Sequence, residues 1–245
     1  MLSLTAILFI GFLLGMRHAT DPDHVVAITT IVAKHPGIKK AGLIGALWGI
    51  GHTCTIFVVG AMIILFRVTI PPRVGLTMEF LVAAMLILLG ILNLTGTLRQ
   101  LQERFLTTAT NQGTLIANLG GSQQPRPGMF GGMDAYTLFR PLIIGVVHGL
   151  AGSAAVALLV MATIHDAWLA IAYLLLFGIG TVAGMVLITI VIAMPFKLTG
   201  TRFSALNRGM TLASALFSVG FGLFLSVQIG FVDGLFTSHA HWIPR

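Results

Sequence analysis

Two histidines and two aspartates lie between positions 18 and 24, in the middle of an otherwise apolar segment with the sequence RHATDPDH over residues 17–24. Imidazole nitrogen together with carboxylate oxygen suits borderline divalent ions such as nickel, cobalt, zinc and copper(II). Calcium and magnesium sites use oxygen ligands alone. Ionisable groups at bilayer depth cost a few kcal/mol each, so they usually mark an ion or substrate path. The motif therefore predicts a metal or proton path through a membrane.

An unbroken helix would not bring the two histidines together. At about 100° per residue, His18 and His24 would point about 120° apart. Pro22 changes this geometry, because it cannot donate the hydrogen bond that would reach the His18 carbonyl and its ring clashes with that turn. We therefore expect a break near Pro22 that lets His18, His24 and either Asp21 or Asp23 approach one ion. One carboxylate could instead orient a histidine through its other ring nitrogen.

Two further histidines lie in later apolar segments. His52, within the sequence WGIGHT, is expected to offer a metal ligand from a facing helix, since its glycine neighbours permit close helix approach. The residues after His148 lack the carboxylates of the first motif, so we expect His148 to line the path, to gate it or to contact another helix, with Ser153 as a further candidate for lining the path. Arg17 is a third candidate for lining the path. The alternative is that Arg17 holds the two aspartates in a purely structural ion pair.

The composition is that of a membrane protein. Of the 245 residues, 56% are hydrophobic and 9% are charged, whereas soluble domains are about one-quarter charged. The net charge of +7 does not indicate a nucleic-acid partner, because the basic residues are scattered between apolar segments. A single cysteine, Cys54, excludes an intrachain disulfide. The lipid bilayer is therefore the expected surrounding of the chain.

Six segments are roughly long and apolar enough to cross a bilayer, which takes about 20 residues. They are residues 3–33, 41–66, 76–98, 141–163, 167–194 and 205–231. The predicted fold is an all-α polytopic membrane protein of six transmembrane helices, with the first helix broken near Pro22. We expect residues 1–98 and 141–245 to form two three-helix units, joined by a largely irregular cytoplasmic loop over residues 99–140.

The basic residues also predict an orientation. Ten of the fourteen lysines and arginines lie in the loops that follow the first, third and fifth spans or in the first turn of the span beyond. Cytoplasmic loops carry an excess of these residues. Both termini are therefore expected outside the cell membrane.

The two halves carry matching elements at an offset of 129 or 130 residues. The matches are residues 15–18 with 145–148, residues 48–51 with 177–180, and Gly90 with Gly220. A repeat unit of three spans must be inverted in its second copy, because an odd number of crossings reverses the chain direction. Inverted repeats are common in transporters, where the binding site lies near the midplane between broken helices.

The pattern His-x4-Asp-His, formed by His18, Asp23 and His24, resembles the signature of the nickel/cobalt transporter family. The sequence around His52 is similar to that family's Gly-His-Ser/Thr element on the next span. The resemblance implies that these four residues select the metal, and Asp21 falls within the same motif. Typical members have eight spans and an acidic motif in the later half, which this chain lacks. The chain is therefore more similar to the compact six-span branch found with urease accessory proteins, the UreH-type permeases.

The function predicted from residues and resemblance together is uptake of nickel or cobalt by a secondary permease. The permease would have no cofactor and no enzymatic activity, and rocking of the two halves would alternate access to the ion. The branch also implies a functional link to the maturation of urease or of another nickel enzyme. Efflux of the same metals is the first alternative. An intramembrane metalloenzyme with Asp21 or Asp23 as general base is the second, and a proton or electron carrier subunit is the third.

Overall fold

The computed structural model describes residues 4–33, 37–66, 70–110, 139–150, 164, 166–237 and 240–242, and these ranges contain helices and no strand. The helices are α1 (Leu4–His18), α2 (Pro22–Val32), α3 (Ile38–Phe66), α4 (Pro72–Thr110), α5 (Phe139–Leu150), α6 (Ala167–Arg202) and α7 (Ser204–Val227), with a π-helical turn over Gln228–Val232 after α7. The prediction of an all-α protein is confirmed.

Within the described ranges, four helical stretches are long and apolar enough to cross a membrane. They are Ile38–Phe66, Pro72–Gly96, Ala167–Thr199 and Ser204–Val232. Helices α1, α2 and α5 are apolar but shorter, so the six-span count stays a prediction. Helix α4 continues to Thr110, well into the loop predicted to be irregular. The rest of that loop up to residue 138, and Ser153, lie outside the described residues.

The first apolar segment is broken at Pro22, as predicted. Helix α1 ends at His18 with tighter i to i−3 bonds, from the Thr20 N–H to the Arg17 carbonyl (2.8 Å) and from the Asp21 N–H to the His18 carbonyl (3.1 Å). Asp21 is extended, with φ −60° and ψ 144°, and Pro22 is the first residue of α2. Proline is well tolerated there, because the N–H it lacks would have no partner within the new helix.

Helices α1 and α6 touch backbone to backbone through two glycines. A Cβ atom added at Gly15 would overlap the carbonyl oxygen of Phe177, and one added at Gly180 would overlap that of Phe12. Any larger residue at either position would push the two helices apart.

Helices α5 and α3 repeat this arrangement. A Cβ atom at Gly145 would overlap the carbonyl oxygen of Trp48, and one at Gly51 would overlap that of Leu142. All four residues are the 129- or 130-offset equivalents of those that join α1 to α6. The contact between the first helix of one half and the middle helix of the other is therefore made twice, in the same way.

Helices α4 and α7 also form a reciprocal glycine contact, but at a different offset from the one predicted. A Cβ atom at Gly90 would lie 2.8 Å from the carbonyl oxygen of Ala215, and one at Gly222 would lie 2.8 Å from that of Ala83. Gly220 has nothing within 4 Å of its added Cβ. The counterpart of Gly90 in this contact is therefore Gly222 and not Gly220. The offset of 129 or 130 residues that relates the other helices does not hold for the third helix of each half.

The two sequence halves interleave instead of forming separate bodies. Helices α1 and α3, from the first half, pack mainly on α6 from the second, and α4 packs along α7. Helix α2 lies between these groups and contacts α4, α6 and α7. Rocking of one sequence half against the other would separate the most extensive helix contacts of the fold. The expected two-body motion along the sequence halves is therefore not supported by the packing.

Replacement of Gly15 or Gly145 by alanine should destabilise the protein to a similar extent. Each new Cβ meets a backbone carbonyl, and overpacking of this kind costs about 1–3 kcal/mol. Thermal unfolding in detergent would show a midpoint lower by several degrees. Gly220→Ala is the matched control, because open space surrounds its Cβ and alanine favours the helix. Equal midpoints for all three variants would contradict the packing described above.

Candidate metal centre

Four histidine side chains converge from four helices. His18 ends α1, His24 lies in the first turn of α2, and His52 and His148 lie in α3 and α5. The ring centroid of His24 lies 4.7 Å from that of His18, 4.9 Å from His52 and 4.4 Å from His148. His24, His52 and His148 are at most 1% exposed. The cluster is therefore a buried group of ionisable side chains in the interior of the helix bundle.

His18 is held from one side and faces His52 on the other. Its Nδ1 atom lies 2.6 Å from Asp21 Oδ2, and its Nε2 atom lies 3.1 Å from His52 Nε2. When Nδ1–H donates to the aspartate, Nε2 carries the lone pair. Two nitrogen ligands at a right angle on one ion, with bonds of about 2.0–2.1 Å as for zinc, would lie about 3 Å apart. The spacing of the two Nε2 atoms suits shared coordination.

His24 takes its orientation from the helix break. Its Nδ1 atom donates a hydrogen bond of 2.8 Å to the carbonyl of His18. In a continuous helix that carbonyl would accept from the N–H of residue 22, which Pro22 lacks. With Nδ1 as donor, the Nε2 lone pair of His24 is available to a metal. One ligand atom each from His18, His24 and His52 lies within 4.8 Å of the other two.

Asp23 links α2 to α5. Its Oδ1 atom accepts from the His24 backbone N–H at 3.0 Å, and its Oδ2 atom accepts from His148 Nε2 at 2.8 Å. Asp23, His24 and His148 form a second group whose ligand atoms lie within 4.8 Å of one another. His24 belongs to both groups, so the two groups are parts of one centre.

Three buried nitrogen atoms at this centre find no hydrogen-bond partner among the described residues. They are His52 Nδ1, His148 Nδ1 and Trp48 Nε1, and the Trp48 ring lies 5.4 Å from that of His24 and 5.6 Å from that of His148. Each unpaired buried polar group costs about 1–3 kcal/mol. Such groups are rare in native proteins and require a functional explanation or a bound ion.

The structure brings five predicted site residues together, namely His18, Asp21, Asp23, His24 and His52. Both aspartates contact ring nitrogens, so each orients a histidine. The alternative in which Arg17 holds them in an ion pair is wrong, because both carboxylates pair with histidines instead. Arg17 is itself exposed and does not line the adjoining cavity.

His148 takes a more direct part than the sequence indicated. His148 lines the cavity next to the cluster, and it also donates a hydrogen bond to Asp23, which the sequence did not indicate. The sequence signal was present, since His148 is the repeat equivalent of His18. What could not be foreseen is its partner, because Asp23 lies 125 residues earlier in the chain.

A cavity of about 360 Å³ adjoins the centre. One wall carries polar groups of the cluster, namely His18, Asp21, Asp23, His24 and His148. The wall formed by α4, α7 and the π-helical turn is apolar except for Glu79. The side chain of Asp21 is 45% exposed and that of His18 is 16% exposed, so these two residues are the accessible edge of an otherwise buried cluster. Glu79 was not among the residues predicted to form the site.

The chain is 34% identical over 233 residues to the urease accessory protein UreH of Bacillus sp. (strain TB-90), an alignment that covers 95% of this chain and 96% of the relative. The chain belongs to the UreH family. This confirms the resemblance to the UreH-type branch noted from the motif. The relative is named as an accessory protein and not as an enzyme, in agreement with the expectation of a non-enzymatic role.

The UreH-family chain is also similar to two chloroplast proteins of Arabidopsis thaliana, FOR GROWTH AND FERTILITY 1 and 2. The identities are 24% and 25%, over 87% and 89% of this chain. It spans only 56% and 55% of the length of these plant proteins. No protein-family model and no solved structure matches the chain.

If the centre binds nickel, as the motif predicts, replacement of Pro22 by alanine should weaken that binding about tenfold or more. The restored N–H of residue 22 would compete with His24 Nδ1 for the His18 carbonyl, and a straighter helix would turn His18 and His24 apart. Equilibrium titration of the purified protein with nickel measures the change. Pro72→Ala is the matched control, since Pro72 also begins a helix but does not line the cavity. Unchanged affinity in the Pro22 variant would contradict the role assigned to the break.

Proposed function

We propose that this UreH-family protein is a secondary permease that takes up a divalent transition metal ion, with nickel as the first candidate and cobalt as the second. The convergence of His18, His24 and His52 nitrogen atoms is the observation that carries this proposal. A buried set of imidazoles with nearby carboxylates would replace the water ligands of such an ion inside an apolar protein. The relative's name, urease accessory protein, supports a link to the maturation of urease or of another nickel enzyme.

The donor set supports the choice of metal class. Imidazole nitrogen with carboxylate oxygen favours nickel, cobalt, zinc or copper(II) over the hard ions calcium and magnesium. We assign Asp21 to orienting His18 and Asp23 to orienting His148, since each carboxylate lies within hydrogen-bond distance of a ring nitrogen. Such partners fix the ring and raise the basicity of its ligating nitrogen. In this arrangement the histidines are the principal ligands.

The membrane arrangement that we propose has six spans in two inverted three-helix repeats. The reciprocal contacts of α1 with α6 and of α5 with α3 support the inverted relation. In this arrangement α1 and α2 together make the first span, and α5 begins the fourth. The centre then lies near the midplane, where the first helix is broken, as in other transporters built from inverted repeats. The protein would reside in the cell membrane with both termini outside.

Alternating access would come from motion of α4 and α7 as a pair. These two helices pack closely on each other, whereas their contacts with the remaining helices are far less extensive. The group of α1, α3, α5 and α6 carries three of the four histidines. Helix α2 contacts both groups and carries His24 and Asp23. A displacement of the pair would therefore open or close the cavity on one side of the centre while the histidines from α1, α3 and α5 stay together.

His24→Ala should abolish nickel uptake into proteoliposomes, because it removes the ring that belongs to both ligand groups. Radiolabelled nickel, cobalt and zinc are compared for the wild type, for this variant and for His241→Ala. His241 is the matched control, since it is exposed and lies in the C-terminal segment outside the cluster. Equal nickel uptake by wild type and His24→Ala would refute the site, and no uptake by the wild type would refute transport.

The direction of transport is tested in cells with the same variants. If the protein imports nickel, His24→Ala lowers nickel accumulation relative to the wild type and to His241→Ala. Higher accumulation in the His24→Ala cells would instead identify an exporter.

A further inference from the structure

Glu79 lines the cavity that adjoins the metal centre. It is the only acidic residue in the membrane-spanning part of α4, Pro72–Gly96, and it is half-buried. It lines the same cavity as His18, Asp21 and Asp23. The other lining residues on its wall, Val82, Phe221, Leu225 and Ile229, are apolar. A carboxylate in such a wall is costly, and an ionisable group in a membrane span usually marks an ion path.

The C-terminal segment, of which residues 233–237 and 240–242 are described, holds this carboxylate in place. Trp242 Nε1–H donates a hydrogen bond of 2.9 Å to Glu79 Oε1. The indole ring of Trp242 fills the space beside Gly75, where a Cβ atom would overlap it. The segment turns back at Gly234, whose φ is 84°, and the His241 N–H donates to the Asp233 carbonyl at 2.9 Å. Glu79 is therefore positioned by a bond from a separate, specifically seated segment.

The C-terminal segment packs against residues of the cavity wall. Ile229 lines the cavity and belongs to a buried cluster with Leu76 and Ala83, on which Leu235 and Trp242 pack. The wall that carries Glu79 and the segment that positions Glu79 are thus one packed unit. This unit lies on α4 and α7, the helix pair whose motion we propose to change access to the centre.

The size of the cavity suits an ion that still carries water. Six water molecules at about 30 Å³ each occupy about 180 Å³, which is well below the 360 Å³ of the cavity. A hydrated divalent cation could thus lie between Glu79 and the histidines before it loses its water. A carboxylate in a site with apolar walls attracts cations strongly, because field lines are focused where the walls have a low dielectric constant.

We propose that Glu79 is a capture residue for the divalent cation, which it receives in its hydrated form in the cavity and passes to the histidines, and that Trp242 is its positioning residue. The proposal rests on the transport function proposed above. By the predicted orientation, the cavity is the mouth on the outer side, since α4 begins and α7 ends there. A simpler role for Glu79 would be to anchor the C-terminal segment through Trp242.

Glu79→Gln separates the two roles. The amide oxygen of glutamine still accepts from Trp242 Nε1, whereas the negative charge is lost. For nickel uptake into proteoliposomes we expect KM to rise about five- to tenfold, with the maximal rate within twofold of the wild type. The KM of the wild type should rise with ionic strength, and that of Glu79→Gln should rise much less, because salt screens the attraction. An anchoring role would predict neither change.

Glu103→Gln is the matched control. It removes the same charge from the same helix, roughly 36 Å further along the axis at 1.5 Å per residue, and its KM should equal that of the wild type. Trp242→Phe keeps an aromatic ring beside Gly75 but removes the donor. We expect a smaller rise in KM from this variant, and no further rise when it is combined with Glu79→Gln.

Several results would overturn the proposal. A KM for Glu79→Gln equal to that of Glu103→Gln would show that the charge at position 79 does not capture the ion. A full effect from Trp242→Phe with none from Glu79→Gln would assign Glu79 to anchoring alone. The wild type separates failure of this proposal from failure of the proposed function. Absence of nickel uptake by the wild type would refute the transport function itself.

Discussion

The hydrogen bond from His24 Nδ1 to the carbonyl of His18 is the interaction on which the centre depends. Pro22 makes this bond possible, because it lacks the N–H that would donate to the same carbonyl in a continuous helix. The same bond closes the gap between α1 and α2, selects the tautomer of His24 and aims its Nε2 atom into the cluster. The N–H that Pro22 lacks therefore accounts for the end of one helix, the start of the next and the orientation of the His24 ring.

The rest of the fold holds this broken segment among partners from distant parts of the chain. Glycine contacts let α1 approach α6, and α5 approach α3, at the distance of touching backbones. His52 from α3 and His148 from α5 thereby reach the residues around the break. Since larger residues at these glycines would separate the helices, the spacing of the four histidines depends on positions with no chemistry of their own. The glycines are as necessary to the centre as the histidines.

The local features of the centre could be predicted from the sequence. The break at Pro22 follows from the missing donor, and the break removes the helix periodicity that would otherwise turn His18 and His24 apart. The long-range features could not be predicted in the same way. The repeat identifies equivalent residues, but it does not say that α1 packs on a helix of the other half. For that reason the pairing of His148 with Asp23 was missed, and the halves were expected to move as separate bodies.

The two-residue error at Gly220 has a related cause. Glycine is abundant in the chain, so a match at a constant offset carries little information where helix lengths differ between the halves. Glu79 was overlooked because it lies far from the motif in sequence. Its importance depends on a cavity and on a bond from Trp242, both of which arise only from tertiary packing.

X-ray absorption at the nickel edge of the purified, nickel-loaded protein tests the centre most directly. The arrangement of His18, His24 and His52 predicts multiple-scattering features from at least two imidazole rings, with nickel–nitrogen distances of about 2.0–2.1 Å, close to those of other imidazole-bound metals. His52→Ala should remove one ring from that spectrum while the rest remains. A spectrum with oxygen ligands alone, unchanged by His52→Ala, would contradict the account.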